Sequence, residues 1–211
     1  MPVTFLVDVD NTLVDNDRIR EDIRVGAAAA VGEAECDRYW EIQERRFVDL
    51  GYRDYLGAVQ EWWEDGSGEP AGLALAACIL ELQYAEHLHP QALELLARMR
   101  SLGPTVVLTD GDAVFQPHKM RRAGIWDAVD GHVLVYVHKE LALADVERRY
   151  PAERYVLVDD KPRILAAAKA HWDDRVTTVL PRQGQFAGEQ TETAPDLTVA
   201  WIADLLDVMF V

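Results

Sequence analysis

Five short runs of β-branched, aliphatic and aromatic residues punctuate this chain, and around them apolar residues recur at helical spacing. Residues 3–7 read V-T-F-L-V, the composition of a strand buried on both faces. Runs of the same kind return at 105–108, 132–137, 155–158 and 176–180. A helix opened by Pro90, with Leu93, Leu96 and Met99 on one face, precedes the second run. Helical segments are predicted at 117–123, at 140–149 and, opened by Pro162, at 163–172. A last helix is expected over 197–209. Strands alternating with helices predict an α/β fold built on a doubly wound parallel sheet.

Residues 15–87 break that alternation. They contain no strand pattern, only stripes of helical period such as Ile19, Ile23 and Ala27, then Tyr39, Trp40 and Phe47. A third stripe runs through Tyr55, Val59 and Trp62, and a fourth through Leu73, Ala76, Leu80 and Tyr84. Residues 66–70 read as a loop, with Pro70 placed to open the fourth helix. Four antiparallel helices with short connections make a compact bundle. The predicted organisation is therefore a core of residues 1–14 and 88–211, interrupted by a helical insertion over 15–87.

A length of 211 residues suits one α/β domain carrying a smaller insertion, and 49% hydrophobic residues are ample for its core. With 21 basic against 37 acidic residues the net charge is −16. Such a chain repels phosphate backbones and anionic lipid, so neither nucleic acid nor a membrane is expected as its main partner. No apolar run reaches the length of a membrane span. Cys36 and Cys78 form no metal-ligand spacing and no disulfide framework. The first strand begins almost at once, leaving no room for a signal peptide, so a cytoplasmic location is expected. Oligomeric state is left open.

The chemistry gathers where strands end. The first run stops on Asp8 and Asp10, which point the same way if the chain stays extended. A turn begun by Asn11-Thr12 is the plain reading of those acids. The other strand ends speak against so plain a reading, because they carry Thr109 and Asp110, then Lys139, then Asp159 and Asp160. In a parallel α/β sheet ligands bind outside the carboxyl ends of the strands. Clustered carboxylates suit a hard cation such as Mg²⁺. A hydroxyl, backbone amides and an ammonium suit phosphoryl oxygens.

This layout resembles the haloacid dehalogenase-like (HAD) hydrolase superfamily along nearly the whole chain. Its four motifs are matched by Asp8-Val9-Asp10-Asn11-Thr12, by Thr109 in V-V-L-T-D-G, by Lys139, and by Asp159-Asp160 in V-L-V-D-D. The resemblance implies a Rossmann-like core with a helical cap inserted between the first and second motifs. It implies Asp8 as nucleophile forming an aspartyl-phosphate and Asp10 as acid and base. It implies Mg²⁺ on Asp8, the Asp10 carbonyl, Asp159 and Asp160. Thr109, the amides near Asp110 and Gly111, and Lys139 would hold the phosphoryl group. Lys139 lacks the proline that often follows this lysine in relatives, and Lys161-Pro162 offers a rival ammonium. The expected activity is Mg²⁺-dependent hydrolysis of a small phosphorylated metabolite. A phosphomutase, a dehalogenase or a non-catalytic binding protein of the same family are the alternatives. The dehalogenase is the poorer match, because a departing halide needs no acid and Asp10 would have no task.

Overall fold

In a computed structural model, residues 3–64, 70–189 and 193–210 are described. Six parallel strands form one sheet in the order β3-β2-β1-β4-β5-β6. They are β1 (Val3–Val7), β2 (Thr105–Asp110), β3 (Val133–Tyr136), β4 (Arg154–Val158), β5 (Val176–Pro181) and β6 (Leu197–Val199). The strand order reverses direction at β1, which pairs with β2 on one side and β4 on the other. Asp8 therefore leaves the sheet at its topological switch point.

Period-two alternation gives the sheet two buried faces. Phe5, Val7, Val107 and Val158 face one side, where they join Leu95, Met99 and Ile125 of helices α5 (Ala92–Leu102) and α7 (Ile125–Ala128). Leu6, Leu108 and Leu157 face the other, packed with Val146 of α8 (Leu143–Arg149) and Ile164, Leu165 and Ala168 of α9 (Pro162–Trp172). Helix α6 (Phe115–Arg122) follows β2, with Pro117 in its first turn where the missing N–H costs nothing.

Between β1 and β2 the chain forms α1 (Asn16–Val31), α2 (Glu33–Leu50), α3 (Tyr55–Trp62) and α4 (Ala71–Leu80). Helix α1 packs on α2 and α4, and α3 packs on α2 and α4 as well. Asp15 caps α1 and Asp54 caps α3 through their side chains. The two crossings between helices and sheet lie side by side. Val14 bridges Leu88 antiparallel, and the His89 amide donates to the Leu13 carbonyl at 2.9 Å. Residues 66–69 of the expected loop lie outside the described residues, and Pro70 stands just before α4.

Several expectations need correction. Leu73 and Leu93 are exposed, the inner faces of α4 and α5 being formed by Leu75 and Ile79 and by Leu95, Leu96 and Met99, and Tyr84 lies in a separate 3-10 turn. Residues 197–209 are not a helix. Leu197–Val199 adds a sixth strand beside β5, and a short 3-10 helix spans Ile202–Asp207. The apolar spacing there suits either element, and pairing with the free edge of β5 decided it. The segment over 140–149 is also broken, into a 3-10 turn at Lys139–Leu141 and α8. No helix among the described residues is long and apolar enough to cross a membrane.

Candidate active site

The carboxyl edge of the sheet brings the predicted strand-end residues into one buried cluster. The Asp8 amide donates to the Val158 carbonyl at 2.9 Å, continuing the β1–β4 ladder and setting Asp8 beside Asp159. Asp8, Thr109, Lys139, Asp159 and Asp160 are each at most 1% exposed. So complete a burial of charge demands pairing. Lys139 supplies it: its ammonium contacts Asp8 Oδ1, lies 2.6 Å from Asp159 Oδ2, and donates to the Leu108 carbonyl at 3.2 Å.

Asp10 occupies a different setting two residues on. After Val9 the chain turns, with the Leu13 and Val14 amides both donating to the Val9 carbonyl. Asn11 takes a left-handed φ of 58°, which Asn tolerates better than most residues. Its Oδ1 accepts from the Asn16 amide at 2.9 Å, and Gln183 donates to the Asn11 and Thr12 carbonyls from the far side. The turn foreseen at Asn11 is real, and it is also what swings Asp10 outward. There the Asp10 carboxylate meets Lys119 on Oδ1 and Gln116 Nε2 on Oδ2, the latter at 2.9 Å. Gln116 also donates to the Asp110 carbonyl at 3.0 Å, tying the first strand's loop to the second's.

Burial and charge separate the titrations. Burial pushes the Asp8 carboxyl up, Lys139 pulls it back, and the balance is about 6. Asp160 is pushed up to about 9 by burial and by the neighbouring charges of Asp8 and Asp159. Asp10 goes the other way: burial would raise it, but the Lys119 ammonium and hydrogen bonds from Lys119 and Gln116 hold it below the usual carboxylate range. Lys139 is held above its ordinary value: burial opposes its charge, and Asp159 and Asp8 more than compensate.

Oxygens of Asp8, Asp159 and Asp160 all approach within 4.8 Å of one another. Asp8 Oδ2 and both carboxylate oxygens of Asp160 are buried with no hydrogen-bond partner from the protein. Buried acceptors left unpaired are costly, and a hard divalent cation would satisfy them. The donor set could thus hold a metal. The two candidate lysines have separate places. Lys139 lies between Asp8 and Asp159, whereas Lys161 Nζ lies 3.4 Å from Asp110 Oδ2 and lines the adjoining cavity.

Other expected residues are positioned less simply. Thr109 ends at the same edge, its hydroxyl donating to the Asp110 carbonyl at 3.3 Å. The Asp110 carboxylate accepts from the Lys139 amide at 2.8 Å and faces Lys161 and Arg163, so it braces the lysines. The Gly111 amide donates to the Tyr136 carbonyl at 2.8 Å and is committed to the sheet, not to a phosphoryl oxygen. Sequence reasoning missed Gln116 and Lys119. Their signal was a glutamine and a lysine three apart on the helix that follows the second strand.

A cavity of about 470 Å³ opens beside Asp10 and Asp110, and the buried residues Asp8, Thr109, Lys139, Asp159 and Asp160 lie behind its wall. Asp10, Asp110, Lys119 and Lys161 line it from the sheet edge, and Phe47, Tyr52, Arg53 and Tyr55 from the helices.

An open parallel sheet with an acidic cluster at its switch point and a helical insertion after β1 defines a particular class of enzyme. The family profile of haloacid dehalogenase-like hydrolases matches residues 3–171, and the chain belongs to that family of hydrolases. A proposed haloacid dehalogenase-like hydrolase from Burkholderia xenovorans LB400 is similar at 44% identity, over 97% of this chain and 95% of that one, with a TM-score of 0.91. YfnB from Bacillus subtilis, a proposed HAD-hydrolase solved bound to magnesium, shares the fold at 14% identity and a TM-score of 0.68, over 100% and 99% of the two chains. The L-2-haloacid dehalogenase from Xanthobacter autotrophicus, solved with chloropropionic acid covalently bound, does so at 20% identity and a TM-score of 0.63, over 97% of each. No curated protein matches the chain.

Proposed function

We propose that this hydrolase is a Mg²⁺-dependent phosphomonoesterase acting on a small phosphorylated metabolite through a phosphorylated Asp8. The observation that carries the reading is Asp10: a second carboxylate, two residues from the buried one, standing at the wall of the cavity. A phosphate ester's leaving oxygen needs a proton and the later hydrolysis needs a base, and one carboxylate can serve both steps. A departing halide needs no proton, although the enzyme ester it leaves behind would also need a base for its hydrolysis, so the acid role is what favours phosphate.

Asp8, drawn toward its ionised form by Lys139, attacks phosphorus, and the ester oxygen leaves with a proton from Asp10. Asp10 then takes a proton from the water that cleaves the aspartyl-phosphate. Its carboxylate is already favoured by Lys119 and Gln116, which suits the second step. For the first step Asp10 must carry a proton, so its contact with Lys119 has to loosen as the substrate enters. Lys161 provides a donor for the phosphoryl oxygens as charge develops, and Lys139 and the Thr109 hydroxyl would join it by exchanging their present acceptors, Asp8, Asp159 and the Leu108 and Asp110 carbonyls, for phosphoryl oxygens. Mg²⁺ would be held by Asp8, Asp159, Asp160 and the Asp10 carbonyl, and bound there it would neutralise phosphoryl charge. Residues 15–87 act as a cap that covers the site and excludes water.

The test is phosphate release from p-nitrophenyl phosphate with Mg²⁺, comparing wild type with Asp8→Asn. Activity that survives in the variant eliminates the covalent mechanism. A dehalogenase is the second reading, supported by the fold shared with the Xanthobacter enzyme. Halide release from 2-chloropropionate, without phosphatase activity, would establish it instead.

A further inference from the structure

The cavity in front of Asp10 has walls of two kinds. Each of its cations stands beside a carboxylate, Lys161 and Arg163 sharing one. Lys119 is matched by Asp10, Lys161 and Arg163 by Asp110 at 3.4 and 3.6 Å, and Arg53 by Glu44 at 3.0 Å. Every cation among the described lining residues thus has a carboxylate already, and Glu189 adds a further acid to the wall. The uncharged lining includes the amides of Asn11, Asn16, Gln116 and Gln185, and its apolar part is aromatic and comes from three separate segments: Phe47, Tyr52 and Tyr55 from the helical insertion, Phe115 from α6, and Phe186 from the loop after β5. Phe47 is 40% exposed although it is a large apolar ring. The Tyr55 hydroxyl is buried without a hydrogen-bond partner, an offer of one donor or acceptor to whatever enters. Gly51 ends α2 at a φ of +77°, and the left-handed turn it makes brings Tyr52 to the cavity.

With Lys161 turned to the phosphoryl group and Lys119 beside Asp10, a second anionic group on the substrate would meet Arg53 and Arg163, each already paired with a carboxylate, and the acid of Glu189. Tyr55 packs on Phe115 with ring centroids 5.0 Å apart and the Arg53 guanidinium lies 4.8 Å from the Phe47 ring, so an entering flat ring is left the half-exposed Phe47 together with Tyr52 and Phe186. A volume of about 470 Å³ accommodates a ring-bearing alcohol together with its phosphate. We infer that the substrate is the phosphate monoester of an uncharged alcohol bearing a flat aromatic or heteroaromatic ring, with the ring held among Phe47, Tyr52 and Phe186. This rests on the phosphatase reading and narrows it. Benzylic alcohols and nucleosides share the chemistry.

Matched pairs of substrates isolate the ring from leaving-group reactivity. Phosphate release would be measured with Mg²⁺ for benzyl against ethyl phosphate, and for a nucleoside 5′-monophosphate against ribose 5-phosphate. Phosphoglycolate against ethyl phosphate tests the added charge. The ring-bearing member of at least one pair should have the higher kcat/KM by about tenfold, and phosphoglycolate should be the poorer substrate. Phe47→Ala and Tyr52→Ala should cut the ring preference about five- to tenfold, mainly through KM. Val48→Ala, on the same helix but 80% exposed and away from the cavity, should keep it. Binding of the same ring-bearing esters to Asp8→Asn, followed by calorimetry, should weaken in parallel. A preference in the nucleoside pair alone identifies a nucleoside, and one in the benzyl pair a simpler ring; both support the inference. Equal use of ring-bearing and ring-less esters, or a preference for phosphoglycolate, overturns it while leaving the phosphatase reading intact. No release from any ester overturns the phosphatase reading and this inference with it.

Discussion

Replacing Lys139 with Met tests the central electrostatic claim, that one wholly buried ammonium neutralises the carboxylates at the switch point. The Met side chain roughly keeps the apolar stem and deletes the charge that lies 2.6 Å from Asp159, touches Asp8 and donates to Leu108. At an effective dielectric near 20, one charge pair at this separation attracts by about 6 kcal/mol before desolvation is subtracted. Breaking such a buried pair costs about 3–5 kcal/mol, because the surviving carboxylates stay buried without a counter-charge. In a chain of this size each kcal/mol lowers Tm by about 2–4 °C. Metal-free Lys139→Met should therefore melt about 6–20 °C below wild type. The loss should be smaller near pH 5 than near pH 8, since Asp8, already pushed up to about 6, can take up a proton once its partner is gone. Adding Asp159→Asn should recover part of the loss by removing an orphaned charge. Calorimetric melts in EDTA at both pH values measure all of this. A single variant that melts within about 2 °C of wild type at both would refute the argument.

The metal-free protein should lose stability as pH rises from about 4 to about 9. Against an ordinary value of 3.8, Asp8 near 6 and Asp160 near 9 keep protons in the folded state that the unfolded chain has released. Mg²⁺ favours the ionised forms, so its stabilisation should be larger at pH 8 than at pH 6; melts with and without Mg²⁺ would expose an opposite trend. Gly51→Ala should cost about 1–2 kcal/mol for its left-handed backbone, and its Cβ would come within 2.6 Å of His138 Cε1. Adding His138→Ala should relieve the clash but not the backbone strain, a partial recovery that urea titrations can resolve. Trp62→Ala, at a position with no solvent exposure and an indole N–H on the Glu35 carbonyl at 3.2 Å, should cost about 3–5 kcal/mol. A loss below about 1 kcal/mol would mean that the helical insertion does not depend on this packing.

Local chemistry made much of this protein legible in one dimension. Val3–Val7 and Arg154–Val158 are strands because β-branched and aromatic residues fit a pleated, buried surface. Strand–helix alternation implied that the strands run parallel, and parallel strands put their carboxyl ends at one edge. The acids at Asp8, Asp159 and Asp160 could thus be assigned to one place without coordinates. Where local pattern allowed two outcomes, tertiary contacts chose. Leu197–Val199 became a strand because β5 offered it an unpaired edge. Lys139 and Lys161 both sit near strand ends, and only packing shows one of them enclosed between Asp8 and Asp159 and the other turned to the cavity. Lys119 and Gln116 reach Asp10 across more than a hundred residues, a distance no periodicity encodes. The Gly111 amide had seemed open to a ligand until β3 claimed it. Short-range propensity, then, determined most of the elements and gathered the acids at one edge. Which ammonium meets which carboxylate, and which rings wall the cavity, depended on how the helices pack over the sheet.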